Sequence, residues 1–255
     1  MRLRTFYDLL IFKTTADLRV EVSRYYLNYL WWILEPIFTM GVFYFVFRVL
    51  LNQGIPNFVA FLLIGLTFWN WFAFSVNNAA LSILQGTMLM LQVNIPKVFF
   101  PLGTILQDFF KQLFVIALLL VYLLFSPTPV SVTWLALPVL MIIQAILVSA
   151  AAILSAMAVP FIPDLKLLIG TVLNLLMFAS GIFFSDQIIL PQYRYIMYLN
   201  PMAGLIKNYR QILMYANWPD WDYLLWVFLA SVMLLALALY LLKRFDQVYP
   251  RICQE

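Results

Sequence analysis

Apolar positions along this chain gather into runs long enough to cross a bilayer, separated by short polar turns. A span needs about 20 predominantly apolar residues, and the pattern predicts six helices, at about 31–51, 58–80, 103–125, 132–158, 166–185 and 222–242. The turns carry the residues that break helices: Gly54, Pro56 and Asn57, then Ser126 to Ser131 (SPTPVS), then Val159 to Lys166 (VPFIPDLK). Between the second and third spans, Gln85, Gly86, Gln92, Asn94, Pro96, Lys97 and Pro101 interrupt the apolar run. Residues 82–98 therefore read as a short amphipathic segment joining two spans.

Two stretches do not fit the simple pattern. Ahead of the first span, Leu3, Phe6, Tyr7, Leu10 and Ile11 fall on one helical face. Residues 1–29 read as an amphipathic helix in the headgroup region, with an ordinary juxtamembrane tail as the alternative. Residues 186–215 are too polar for a span and too apolar for a free loop. Leu199-Asn200-Pro201 reads as an N-cap followed by proline at the first helical position. Two short helices, about 191–199 and 201–214, either dip into the membrane and return to the same side or lie flat on its surface.

Composition sharpens the class. The 255 residues are 65% hydrophobic and 10% charged, against about 45–50% and about 25% in a soluble domain. The fold class is an all-α integral membrane protein: six transmembrane helices, an N-terminal interface helix and two short re-entrant helices before the last span. Little is left for an extramembrane domain, so an energising part is expected on another polypeptide. With the N-terminus inside, eleven of the fifteen Lys and Arg residues fall on the cytoplasmic side. That bias sets both termini in the cytoplasm of a multi-pass protein.

Several chemistries are excluded. The chain has no histidine, so His-based acid–base catalysis and His-metal sites are ruled out, and no metal site is expected. The single cysteine, Cys253, closes no intrachain disulfide. A Gly-rich phosphate loop ending in Lys-Ser or Lys-Thr is missing from the sequence, so the chain binds no nucleotide of its own. The net charge of +4 reads as membrane topology, not nucleic-acid binding. The predicted span centres hold essentially no ionisable groups, which removes the ion-coupling machinery of a secondary transporter.

Leu30-Trp31 with Leu34-Glu35-Pro36, Gly65 with Trp69, Lys97 with Phe100-Pro101, and Pro163-Asp164-Leu165 follow one another along the chain. Ser180-Gly181-Ile182-Phe183-Phe184 and the stretch from Leu199-Asn200-Pro201 to Arg210 complete the series. In this order and on this topology the sequence resembles the permease subunits of bacterial ABC exporters for surface polysaccharides: O-antigen, capsule and teichoic acid exporters.

The resemblance implies a homodimer in the bacterial cytoplasmic (inner) membrane, bound to two nucleotide-binding subunits that hold ATP and Mg. The cargo would be lipid-linked polysaccharide, moved from cytoplasm to periplasm through a channel lined by the first and fifth spans. The loop at 82–98 would couple to the ATPase, with Gln92, Asn94 and Lys97 as its candidate residues. An outer gate would form at 186–215, with Pro191, Tyr195, Asn200, Pro201 and Arg210. Sugars pack C–H faces on rings and bond hydroxyls to amides, so Trp32, Phe43, Tyr44, Asn174 and Phe178 are the channel candidates. Plain helix packing is the alternative for each. Glu35 lies about 6 Å inside the boundary by helical rise, and either reaches the interface or acts at the entrance. Two rivals remain at this stage: an exporter of a lipid, drug or other small molecule, and a membrane-embedded glycosyl- or acyltransferase. For the latter, Asp220 and Asp222 are the only close acidic pair.

Overall fold

The computed structural model describes residues 3–24, 30, 34, 37–38, 41–42, 45–50, 57–93 and 95–252. About half of the expected first span therefore lies outside the described residues. The described regular structure is entirely helical. Its α-helices run in the order α1 Leu3–Arg24, α2 Phe58–Ala80, α3 Ser82–Gln85, α4 Thr87–Gln92, α5 Phe99–Phe125, α6 Leu137–Ala158 and α7 Leu165–Ala179. Then follow α8 Arg194–Tyr198, α9 Pro201–Met214, α10 Trp221–Arg244 and α11 Tyr249–Ile252. Among the described residues four stretches are long and apolar enough to cross a membrane: Phe58–Ala80, Phe99–Phe125, Val132–Ala158 and Trp221–Arg244.

Helix α2 is the hub. It begins after Asn57, whose φ of 51° is a left-handed conformation that asparagine tolerates. Its first half is largely apolar, and Phe61, Leu62, Ile64, Phe68, Trp69 and Trp71 are all buried, as expected of a helix enclosed by others. Helices α5, α6, α7 and α9 pack around it, while α10 packs along α6 and α1 along α5. Two glutamines lock the hub. Gln112 Nε2 of α5 donates to the Thr67 carbonyl at 3.1 Å, and Gln144 Nε2 of α6 donates to the next carbonyl, Phe68, at 2.7 Å. Each carbonyl has a second lone pair beyond the one used in the helix, so the bonds tie three spans together without unwinding any.

Boundaries follow local chemistry where caps exist. Ser131 Oγ accepts from the Thr133 amide at 3.2 Å and opens a 3-10 turn, Val132–Ala136, ahead of α6. Asp220 caps α10 by accepting from the Tyr223 amide at 3.2 Å, and Lys243 and Arg244 sit in its last turn against the negative dipole end. The fifth apolar run behaves differently. Helix α7 stops at Ala179, although the apolar run continues to Phe184. By helical rise α7 is about 22 Å long, short of the roughly 30 Å hydrocarbon thickness. Gly181 takes a φ of 67°, and Ser180, Ile182 and Phe183 are buried in a turn.

The interface helix packs along a narrower stripe than its sequence pattern suggests. Leu10 and Thr14 are buried and the Phe6 ring meets Phe99 at 5.7 Å, whereas Tyr7 and Ile11 are exposed with Phe12. The expected single face is thus divided: one edge grips α5 and the adjoining edge stays bare. A bare apolar edge is what a helix lying against lipid presents.

Replacing Gln112 by leucine removes one interhelical bond without leaving a buried donor. Interhelical bonds in membranes average about 0.6 kcal/mol with a maximum near 1.7. Gln112→Leu is expected to lower the melting temperature in detergent by about 1–5 °C, read by intrinsic tryptophan fluorescence.

Candidate functional site

The densest polar chemistry lies at the end of the bundle where α2 starts and α7 stops. Helix α9 is the centre of it. Asn200 caps α9, its Oδ1 accepting from the Met202 amide at 3.1 Å, while its Nδ2 donates to Ser180 Oγ at 2.7 Å. Eleven of the fourteen residues of α9 are buried, so it is no surface helix with one wet face. Tyr209 stacks on Phe68 of the hub with ring centroids 3.4 Å apart. Thr133 Oγ1 donates to the Ile212 carbonyl at 2.9 Å, joining the end of α9 to the approach to α6.

Arg210 is buried in this helix and donates to backbone carbonyls. Its Nε and Nη2 donate to the Phe61 carbonyl at 3.2 and 3.1 Å, Nη1 to Gly181 at 2.7 Å and Nη2 to Ile182 at 2.9 Å. The guanidinium carbon lies 3.3 Å from the centre of the Phe61 ring. Among the described residues no carboxylate pairs with it. The planar five-donor fork suits such a cluster of carbonyls. A Cβ on Gly65 would sit 2.7 Å from Nη2, which explains why the hub has glycine there.

A second cluster joins the turns before α9 to α9 itself. Tyr198 Oη donates to Asp186 Oδ2 at 2.7 Å, and Lys207 Nζ stands 3.8 Å from the same oxygen and 4.8 Å from the Tyr198 ring centre. Burial first, then the Asp186 carboxylate, pushes the Tyr198 pKa well above the usual tyrosine range; its hydroxyl stays protonated and donating. Tyr223 of α10 donates to the Tyr198 carbonyl at 3.2 Å, and Asn208 Oδ1 accepts from the Asp220 amide at 2.7 Å. The short segment is thus held to α9 and α10 together.

The opposite end carries the loop between α2 and α5. Gln92 is exposed at the end of α4, and Asn94 lies outside the described residues. Lys97 does not face outward. It is only 4% exposed; its backbone amide donates to Asp246 Oδ1 at 2.8 Å, and its Nζ lies 3.8 Å from Asp246 Oδ2 and 3.2 Å from the Ile95 carbonyl. Tyr249 Oη donates to the Met157 carbonyl at 3.3 Å, and Phe161 packs edge-on against Phe245 and Tyr249. Lys97 therefore anchors the loop to the C-terminal segment.

The sequence candidates divide accordingly. Asn200, Pro201 and Arg210 come together around Ser180–Ile182. Pro191 opens a 3-10 turn, Pro191–Tyr193, and Tyr195 is exposed on α8, apart from the Arg210 cage. Asn174 and Phe178 are exposed on α7, the Phe178 ring 5.3 Å from Phe183. Trp32, Glu35, Phe43 and Tyr44 lie outside the described residues. Asp186, Tyr198 and Asp246 were not singled out. No local signal in the sequence marks the Asp186, Tyr198 or Asp246 contacts. No group of three metal-ligating side chains occurs among the described residues.

Two substitutions test these ties. Arg210→Met leaves the Gly181 and Ile182 carbonyls without their donors and is expected to cost several kcal/mol, since charged hydrogen bonds are worth about 1.5–3 each; folded yield on size exclusion should fall sharply, and Arg210→Lys should recover only part of it. Asp246→Ala is expected to speed amide exchange over residues 87–97 by about tenfold, equivalent to ~1.4 kcal/mol of local stability, with α9 unaffected.

No family model matches the chain. Two proteins named O-antigen export system permease protein RfbA are similar over most of their length. One, from Klebsiella pneumoniae, is 28% identical over 210 residues, 82% of this chain and 81% of the relative. The other, from Myxococcus xanthus, is 30% identical over 232 residues, 89% and 88% of the two chains. With that identity sustained over nearly the whole of both sequences, and four apolar helices of spanning length, this membrane protein belongs to the O-antigen export permeases, the ABC-exporter permease family that its sequence resembles.

Proposed function

We propose that the chain is the permease half of an ATP-driven exporter that carries lipid-linked polysaccharide of the O-antigen type from cytoplasm to periplasm. The observation that carries this reading is the 30% identity to an O-antigen export permease over 89% of the chain. Two copies would enclose the channel and each would bind one nucleotide-binding subunit in the inner membrane, with both termini cytoplasmic.

Three features support it. Helix α7 buries only Leu173 among its fifteen residues; a nearly bare span is what a second copy or a channel needs. Asn174 and Phe178 lie on that span and, with Trp32, Glu35, Phe43 and Tyr44 of the first, form the proposed sugar-contacting wall. Helix α9, buried yet too short to span, fits a re-entrant gate closed by the Asp186–Tyr198–Lys207 cluster. At the other end α4 exposes Met88, Leu89 and Leu91 with Gln92 beside them, a small apolar face for an ATPase groove. The tie from Lys97 to Asp246 makes that face rigid with the bundle, so a push on α4 is transmitted rather than absorbed.

Co-purification with the nucleotide-binding protein encoded beside it is the direct test. A stable complex is expected, with ATPase activity that falls several-fold in Gln92→Ala and Asn94→Ala while the complex stays assembled. Failure of any nucleotide-binding subunit to associate would remove the proposal.

A further inference from the structure

The Lys97 end of the bundle also holds a polar cleft that the channel wall above does not include. It lies between α1, α2, α5 and the start of α7, and encloses about 910 Å³, within the roughly 300–1,000 Å³ usual for small-molecule sites. Such sites are mostly apolar, but this one is walled by amides and paired charge. Asn77, Asn78, Gln85 and Gln107 line it, with Phe74. Phe74, Asn77 and Asn78 sit at i, i+3 and i+4, one stripe of α2, and Gln85 continues it on α3.

The charges in the cleft largely cancel. Lys13 pairs with Asp17, and Lys111 stands 3.7 Å from Asp108. Both Asp108 oxygens also accept from Asn78 Nδ2, at 3.2 and 3.1 Å. Among the described residues that line the cleft, three lysines stand against two aspartates, and Lys166 has no acidic partner there. A phosphate-binding site gathers uncompensated cations. Carboxamides, which donate and accept at once, suit neutral hydroxyls, and a phenyl face suits sugar C–H groups. Asp108 and Lys111 fall near the start of the predicted third span, and an ionisable pair inside a span marks a functional site by default.

We infer that this cleft is a carbohydrate-binding site, holding the leading sugars of the cargo before they enter the channel; the inference rests on the polysaccharide reading above. Phe74, Asn77, Asn78 and Gln85 are its contact residues, and Asp108 is a positioning residue that orients Asn78.

The single cysteine of the chain allows a direct test. In a Cys253→Ser background, Asn77→Cys and, as a second reporter, Gln85→Cys are labelled with a membrane-impermeant maleimide in inverted vesicles holding the assembled exporter. Vesicles come from cells that make the lipid-linked polysaccharide and from cells blocked at the first sugar transfer. Labelling is expected in the blocked vesicles and about tenfold slower in the loaded ones, the protection given by ligand near ten times its Kd. Inorganic pyrophosphate added to blocked vesicles should leave labelling unchanged. Equal labelling in both, no labelling in either, or protection by pyrophosphate would each overturn the assignment, the last in favour of a headgroup site. The transport reading is separated by deletion: a strain lacking this chain that keeps its surface polysaccharide refutes that reading, whereas a lost coat with unprotected cysteines refutes the cleft alone.

Discussion

A buried guanidinium surrounded by carbonyls is the constraint on which the rest of this structure turns. A helix that ends inside a membrane protein leaves its last carbonyls without donors, and no water replaces them at low cost. Helix α7 ends inside the protein: Ser180 donates to the Leu176 and Met177 carbonyls of its last turn, and Arg210 supplies donors to Gly181 and Ile182 just beyond it while gripping Phe61 in the first turn of the hub. The arrangement needs space and a particular backbone. Gly65 leaves room for Nη2, and Gly181 takes the left-handed conformation that turns its carbonyl inward. Three segments distant in sequence, the hub, the turn after α7 and α9, thereby become one unit.

The remaining polar groups follow the same logic at lower stakes. Gln112 and Gln144 use spare lone pairs on consecutive hub carbonyls, and Thr133 does so at the end of α9. In hydrocarbon each such bond is modest, yet together they fix the rotation of each helix, which apolar packing alone leaves loosely determined. The Asp186–Tyr198–Lys207 cluster differs in kind. It is half-exposed, its ion pair is long, and it joins a short segment to α9 across a surface. Screening and water weaken such contacts, so this is the tie that opens most readily.

How much of this was legible in the sequence depends on whether the deciding interaction was local. Helices α2, α6 and α10 announce themselves by a long apolar run and a nearby breaker or cap: Asn57, Ser131 with Pro138, and Asp220. The cap at Asn200 with Pro201 was equally readable. The end of α7 was not, because Ile182, Phe183 and Phe184 prolong the apolar run and the turn that replaces the helix is held by Arg210, 29 residues away from Gly181. The anchoring of Lys97 was unreadable for the same reason: its partner, Asp246, lies 149 residues further on. On α1 the periodicity named the apolar residues, but only the narrow groove of α5 decided that Leu10 packs and Tyr7 does not.

These ties make α7 the mechanical link between the two ends. Its body is nearly free, with Leu173 alone buried, so neighbouring spans impose little resistance on it. Its C-terminal turn is bound to α9 through Arg210 and through Asn200 with Ser180, and its first turn places Lys166 at the polar cleft. A displacement of α9 must therefore carry the Ser180–Ile182 turn with it or break several buried hydrogen bonds, two of them charge-assisted in a medium where the freed carbonyls find no substitute. Breaking them costs more than sliding a weakly packed helix. In the proposed exporter, opening at the α9 end and rearrangement at the cleft are accordingly two aspects of one movement of α7, and the stiffness of the Arg210 cage is what couples them.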